Sequence, residues 1–125
     1  MDYSKWTFDD KSPIYTQLYQ KLKFGILSGR LPPGESIPSI RQMAALLHIN
    51  SNTVARSYKL ISQDGLVIMP RGRKCSVTPD FDFIQEKRAQ EVKVICRNYI
   101  RAMEALGFSE EEARTLIQEY RHYED

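Results

Sequence analysis

The chain has 125 residues, 42% of them hydrophobic and 27% charged, so length and composition exclude global disorder and two full domains. No apolar run approaches a membrane span and the first residues, Met1 to Trp6, lack a signal-peptide core, so a cytosolic protein is expected. The net charge of +2 hides an asymmetry: Met1–Thr78 carries eleven Lys and Arg against five Asp and Glu, whereas Pro79–Asp125 carries seven against eleven. A basic front and an acidic rear suit a polyanion-binding domain joined to one that does not bind.

In chain order, residues 1–11 form a polar arm with a Trp6/Phe8 pair, either loose or packed as a short strand. Ser12-Pro13 opens a helix, with serine as cap and proline at the first helical position. Its ladder is Ile14, Leu18, Leu22 and Ile26, widened by Tyr15, Tyr19 and Leu27, and Gly29 stops it. After the turn Arg30-Leu31-Pro32-Pro33-Gly34 comes a short extended piece, Glu35–Pro38.

The stretch Ser36–Arg56 reads as two short helices joined by Leu47-His48-Ile49, the connection of a helix-turn-helix. Ser39 caps the first, whose buried face is Ile40, Met43, Ala44 and Leu47. Asn50 or Ser51 caps the second, which buries Val54, Tyr58 and Ile61. Its outward start, Asn50, Ser51, Asn52 and Thr53, offers four short hydrogen-bonding side chains where such a helix enters the major groove.

Two short strands are predicted next, Leu66–Met69 and Cys75–Val77, around the basic turn Pro70-Arg71-Gly72-Arg73-Lys74. A basic hairpin behind a helix-turn-helix is what a winged helix needs, since cations near phosphates gain from counterion release. Arg41, Arg56, Lys59, Arg71, Arg73 and Lys74 are the cations expected to hold the backbone.

Beyond Asp80 a long helix, 83–106, and a second starting at the Ser109-Glu110-Glu111-Glu112 capping box form a hairpin. Two helices alone enclose no interior, so their apolar stripes must meet another surface. Acidic faces beside the stripe disfavour DNA, and homodimerisation is the preferred reading over folding back on the front domain. The pairing face is expected to contain Ile84, Val92, Ile95, Tyr99, Met103, Leu116, Ile117 and Tyr120. The expected fold is therefore mainly α (α+β). Residues 1–11 form an arm, 12–78 a winged helix-turn-helix, and 79–125 a two-helix dimerisation hairpin.

These residues resemble the GntR family of bacterial transcription regulators. The resemblance rests on Pro13-Ile14-Tyr15-Thr16-Gln17-Leu18, Ile26–Gly34, Ile37–Ala44, Leu47–Tyr58 and Gly65-Leu66-Val67, in order and at family spacing. The Asn-x-Asn-Thr-Val form and the short rear segment resemble the YtrA-type subfamily, whose members lack a large effector domain. The resemblance implies a repressor that binds double-stranded DNA at a palindromic operator as a homodimer. It places Ser39 and Arg41, the Pro-Ser-x-Arg segment, at DNA, and matches Gly72 to the first wing glycine. Lys74 and Ser76 depart from the family's Gly-x-Gly-Thr-aromatic-Val wing, so the turn's contact pattern is not carried over. A small-molecule effector, unidentified, would have to bind near the rear helices, where Tyr99, Met103 and Tyr120 stand.

Other classes fit less well. An interaction module would use the rear hairpin as its docking surface and would lack salt-sensitive affinity for duplex DNA. An enzyme is disfavoured because His48 and His122 lie far apart and no nucleophile–base pair or phosphate-binding glycine loop is present. Cys75 and Cys96 fit neither a disulfide framework nor a metal-ligand spacing, and nothing calls for a metal or cofactor. Both are read as small, partly buried side chains, although the place of Cys75 beside the wing leaves room for a redox switch.

Overall fold

The computed structural model describes residues 1–72 and 74–120. Its elements are helices α1 (Ile14–Leu27), α2 (Ile40–Leu47) and α3 (Ser51–Gln63), strands β1 (Val67–Ile68) and β2 (Ser76–Val77), then α4 (Phe81–Ala105) and α5 (Glu110–Tyr120). A single 3-10 turn, Tyr3–Lys5, precedes them. The chain divides into two units, Met1–Lys87 and Arg88–Asp125, with the division inside α4. The expected boundary at residue 79 therefore lies before the first turns of α4, which belong to the first unit.

In the first unit the apolar stripes of three helices converge. Leu18, Leu22 and Ile26 of α1, Met43 of α2, and Val54, Tyr58 and Ile61 of α3 are all buried, with Leu31, Leu66, Val67 and Val77 closing the core. Each such large side chain removed from water contributes roughly 1.5–3 kcal/mol. Ile14, the first rung of the predicted ladder, remains exposed because α1 begins there. Ser12 is not the cap. Pro13 occupies the cap position without a side-chain bond, and the Gln17 amide instead reaches back to the carbonyls of Asp9 and Ser12 at 2.9 and 2.7 Å.

The first eleven residues are neither a loose arm nor a strand. The 3-10 turn inserts Tyr3 into the core, and Trp6 meets it edge-on with ring centroids 5.0 Å apart.

β1 and β2 pair antiparallel with Val67 opposite Val77 and Ile68 opposite Ser76. The extended piece before α2 adds a third line to this sheet: Ser36 bridges Ser76, the Ile37 amide donates to the Cys75 carbonyl at 3.0 Å, and the Val77 amide to the Glu35 carbonyl at 2.8 Å. The wing is thus tied to the segment that launches α2. Gly72, at the turn beyond β1, has φ +68°, a conformation that favours glycine.

The start of α4 completes the first unit. Asp80 accepts the Phe83 amide through its carboxylate at 3.1 Å, and the Phe83 ring packs so close to Gly65 that a Cβ there would lie 3.1 Å from it. Ile84 is 2% exposed within this core, so it is a core residue of the first unit and not part of a pairing face. The cause is where the helix begins: α4 starts at Phe81, two residues before the predicted 83, and its first turns up to Lys87 belong to the first unit.

In the second unit the remainder of α4 turns back at Gly107 into α5. The capping box is present in both directions: Ser109 Oγ accepts the Glu112 amide at 3.1 Å, and Glu112 accepts the Ser109 amide at 2.9 Å. Hydrogen bonding from Ser109 holds the Glu112 carboxyl below its usual range. Ala113 is buried, and the Tyr99 hydroxyl donates to its carbonyl at 2.6 Å.

Candidate nucleic-acid interface

The recognition helix is built from its first residue. Asn50 is extended, and its side-chain oxygen accepts the Asn52 amide at 2.7 Å, so the cap is bonded to the second residue of the helix. The carbonyl oxygen of the Asn50 amide is used in this bond, and its NH2 remains outward with donors to offer. Asn50, Ser51 and Asn52 are exposed, and Thr53 is half-buried. No acidic side chain stands in the first turn of α3, which leaves its positive dipole end open to an anion.

The turn before it is made by His48, whose φ of 55° ends α2 in the left-handed conformation while its amide donates back to the Ala44 carbonyl. Its side chain is exposed, as a surface or partner-facing residue should be. At the other end of α2, Ser39 Oγ accepts the Gln42 amide at 3.1 Å and the Gln42 side chain accepts the Ser39 amide at 3.0 Å. The Ser-x-x-Gln spacing of residues 39 and 42 carries this capping box, of which only the serine is expected from its cap position. Arg41 lies one residue into the helix and is exposed.

Arg56, Lys59, Arg71 and Lys74 are exposed as well, while Arg73 lies outside the described residues. The fold brings Lys74 and Ser39 onto the rim of one cavity of about 550 Å³, lined also by Tyr3, Glu35, Gln42 and Cys75. The wing base at Lys74 and the start of α2 at Ser39, 35 positions apart in the chain, therefore adjoin. One carboxylate oxygen of Glu35 is buried there without a hydrogen-bond partner among the described residues. Burial raises the Cys75 thiol above its ordinary range, which lowers its thiolate fraction and disfavours the redox switch. Cys96, expected to be partly buried, is exposed.

Two contacts escape a reading of the sequence. The Arg56 guanidinium stacks over the Tyr15 ring, 3.8 Å from its centroid. The Tyr58 hydroxyl donates to the Pro38 carbonyl at 2.6 Å. Both join residues 20 or more positions apart through a single pair of groups, which leaves no periodic signal.

Of the eight predicted pairing-face residues, Val92, Ile95, Ile117 and Tyr120 are 51–68% exposed, and Tyr99, Met103 and Leu116 are half-buried. Among the described residues no group of three His, Cys, Asp or Glu is placed to hold a metal ion, and no helix is long and apolar enough to cross a membrane.

Three helices, a hairpin wing and an unobstructed, polar start of the third helix define a winged helix-turn-helix of the DNA-binding class. The family of bacterial regulatory proteins named gntR matches residues 14–77, and the chain belongs to it: it is a GntR-family helix-turn-helix transcriptional regulator, not an enzyme. It is similar to the HTH-type transcriptional repressor YtrA of Bacillus subtilis, 39% identical over 62 residues covering 50% of this chain and 48% of that one. It is also similar to the uncharacterised HTH-type regulator YhcF of the same organism, 27% identical over 84% of this chain and 87% of that one. A GntR family transcriptional regulator from Listeria monocytogenes superposes with a TM-score of 0.81 at 27% identity, over 90% of this chain and 98% of that one.

Proposed function

We propose that the protein represses transcription by binding, as a homodimer, an operator made of two inverted half-sites. The observation that carries this reading is the start of α3, where exposed Asn50, Ser51 and Asn52 project beside Thr53 from a capped and uncrowded helix end. Asparagine can pair bidentately with adenine, and each good pair contributes about 1–3 kcal/mol of discrimination. Ser39, Arg41, Arg56 and Lys59 hold phosphates around it, and the wing residues Arg71, Gly72, Arg73 and Lys74 reach the adjacent backbone.

The dimer is supported by the tail. Val92, Ile95 and Ile117 are each more than half exposed, more apolar surface than a two-helix hairpin leaves open without a partner. A second copy pairing through Val92, Ile95, Tyr99, Met103, Leu116, Ile117 and Tyr120 covers it and doubles the reading head. Similarity to YtrA, a repressor in its own name, supports the sign of regulation. The cytoplasm, where bacterial DNA resides, is the matching compartment.

Selection of bound duplex from a random pool tests the reading. Two inverted half-sites with centres about 10 bp apart are expected from a two-fold dimer. Enrichment of a single half-site, or none, contradicts it.

A further inference from the structure

We infer that Tyr15 is a positioning residue for DNA recognition, holding the Arg56 guanidinium in place on the flank of the recognition helix. The inference rests on the DNA-binding reading above. Arg56 lies four residues after Asn52 and three after Thr53, so helical phase sets it one turn behind the base-reading side chains.

An exposed arginine on a helix ordinarily samples many rotamers, and ordering it on a phosphate costs side-chain entropy. Here that ordering is done in advance. The guanidinium carbon sits 3.8 Å from the Tyr15 ring centroid, well inside the roughly 6 Å within which such pairs attract. Stacking occupies the face of the guanidinium and leaves its in-plane N–H donors free for phosphate oxygens. Among the described residues no carboxylate pairs with Arg56 to compete for those donors.

The platform itself is fixed. The Tyr15 carbonyl accepts from Ser57 Oγ at 2.7 Å, and that hydroxyl also meets the Thr53 carbonyl at 3.2 Å. Ser57 is completely buried, so the residue next to Arg56 locks the backbone beneath the ring to α3. The first turn of α1 is thereby a bracket for the recognition helix, which explains an aromatic residue at a half-buried place where an aliphatic one would also fill the groove.

A double-mutant cycle on a selected duplex tests this, with titrations at several salt concentrations. Tyr15→Leu is expected to weaken binding by about three- to tenfold, with no loss in an Arg56→Ala background. Tyr15→Phe keeps the ring and restores affinity. Arg56→Ala lowers the salt slope by about 1, the value of one phosphate. An equal loss from Tyr15→Leu with and without Arg56 overturns the inference, as does a Tyr15→Phe variant as weak as Tyr15→Leu. Thermal midpoints of every variant separate lost positioning from lost folding. The wild-type titration alone decides the underlying reading: a duplex affinity indifferent to salt would remove DNA binding itself, whatever the cycle gives.

Discussion

The Tyr58 hydroxyl donates to the Pro38 carbonyl at 2.6 Å, joining the middle of the recognition helix to the residue just before the Ser39 cap of α2. Tyr58 is completely buried and its burial pushes the phenol well above its ordinary pKa. One polar bond in an apolar core thus ties the segment that launches α2 to the middle of α3.

Removing that hydroxyl strands a carbonyl. Tyr58→Phe is expected to lower stability by about 1–2 kcal/mol, because the Pro38 oxygen keeps its desolvation cost and loses its donor. Urea unfolding with an unchanged m-value checks it; an unaltered midpoint would show that solvent reaches Pro38 instead.

His48 holds a φ of 55° at the end of α2. A left-handed L-residue costs roughly 1–2 kcal/mol, which glycine avoids. His48→Gly should therefore raise stability by up to about 1 kcal/mol, after glycine's own entropy cost, and β-branched His48→Val should lower it by a similar amount or more. Paired denaturation midpoints decide, and a stabilised valine variant would be incompatible with this turn.

Alkaline conditions should loosen the first unit. Burial raises Tyr3 from 10.0 to about 12, with the nearby Glu35 carboxylate adding to it, and Tyr58 moves further in the same direction. A folded-state pKa above the unfolded one means stability fully present below pH ~10 and lost as pH rises through about 12. Unfolding free energies measured between pH 8 and 11.5 should decline from about pH 10 upward, and Tyr3→Phe should flatten the decline.

Much of this was legible because apolar residues recur with helical spacing. Leu18, Leu22 and Ile26, then Val54, Tyr58 and Ile61, are buried as their periodicity requires, and Ser39 and Asn50 cap as short polar residues do. Periodicity misleads where a stripe crosses from one environment to another. Ile84 continues the stripe of α4 in phase, yet the helix starts within the first unit and that turn belongs to its core. The third line of the sheet at Ser36 is a single bridge, too short for alternation to register, and Tyr15–Arg56 depends on α1 and α3 already being packed. The exposed polar start of α3 was legible by type and position, since short polar residues at and just after a helix cap stay at the surface.

The tail offers a separate handle. Ile95 is half exposed near the middle of α4 and Ile117 more so on α5. Ile95→Glu should place charge in the pairing face and shift the protein to monomer in sedimentation, with duplex affinity falling because both half-sites are no longer engaged together. A wild-type monomer at micromolar concentration would contradict the proposed assembly, while isolated first-unit folding should be unaffected by the substitution.

The central claim, that α3 reads bases while surrounding cations hold phosphates, is tested most directly by titrating a selected operator and a scrambled duplex over a range of salt. Asn52→Ala is predicted to reduce the affinity ratio of the two duplexes by about 5- to 150-fold with the salt slope intact. Lys74→Ala is predicted to lower the slope by up to about 1 and leave the preferred sequence unchanged. The reverse pattern, with the wing lysine setting sequence preference and Asn52 only the salt dependence, would contradict the account.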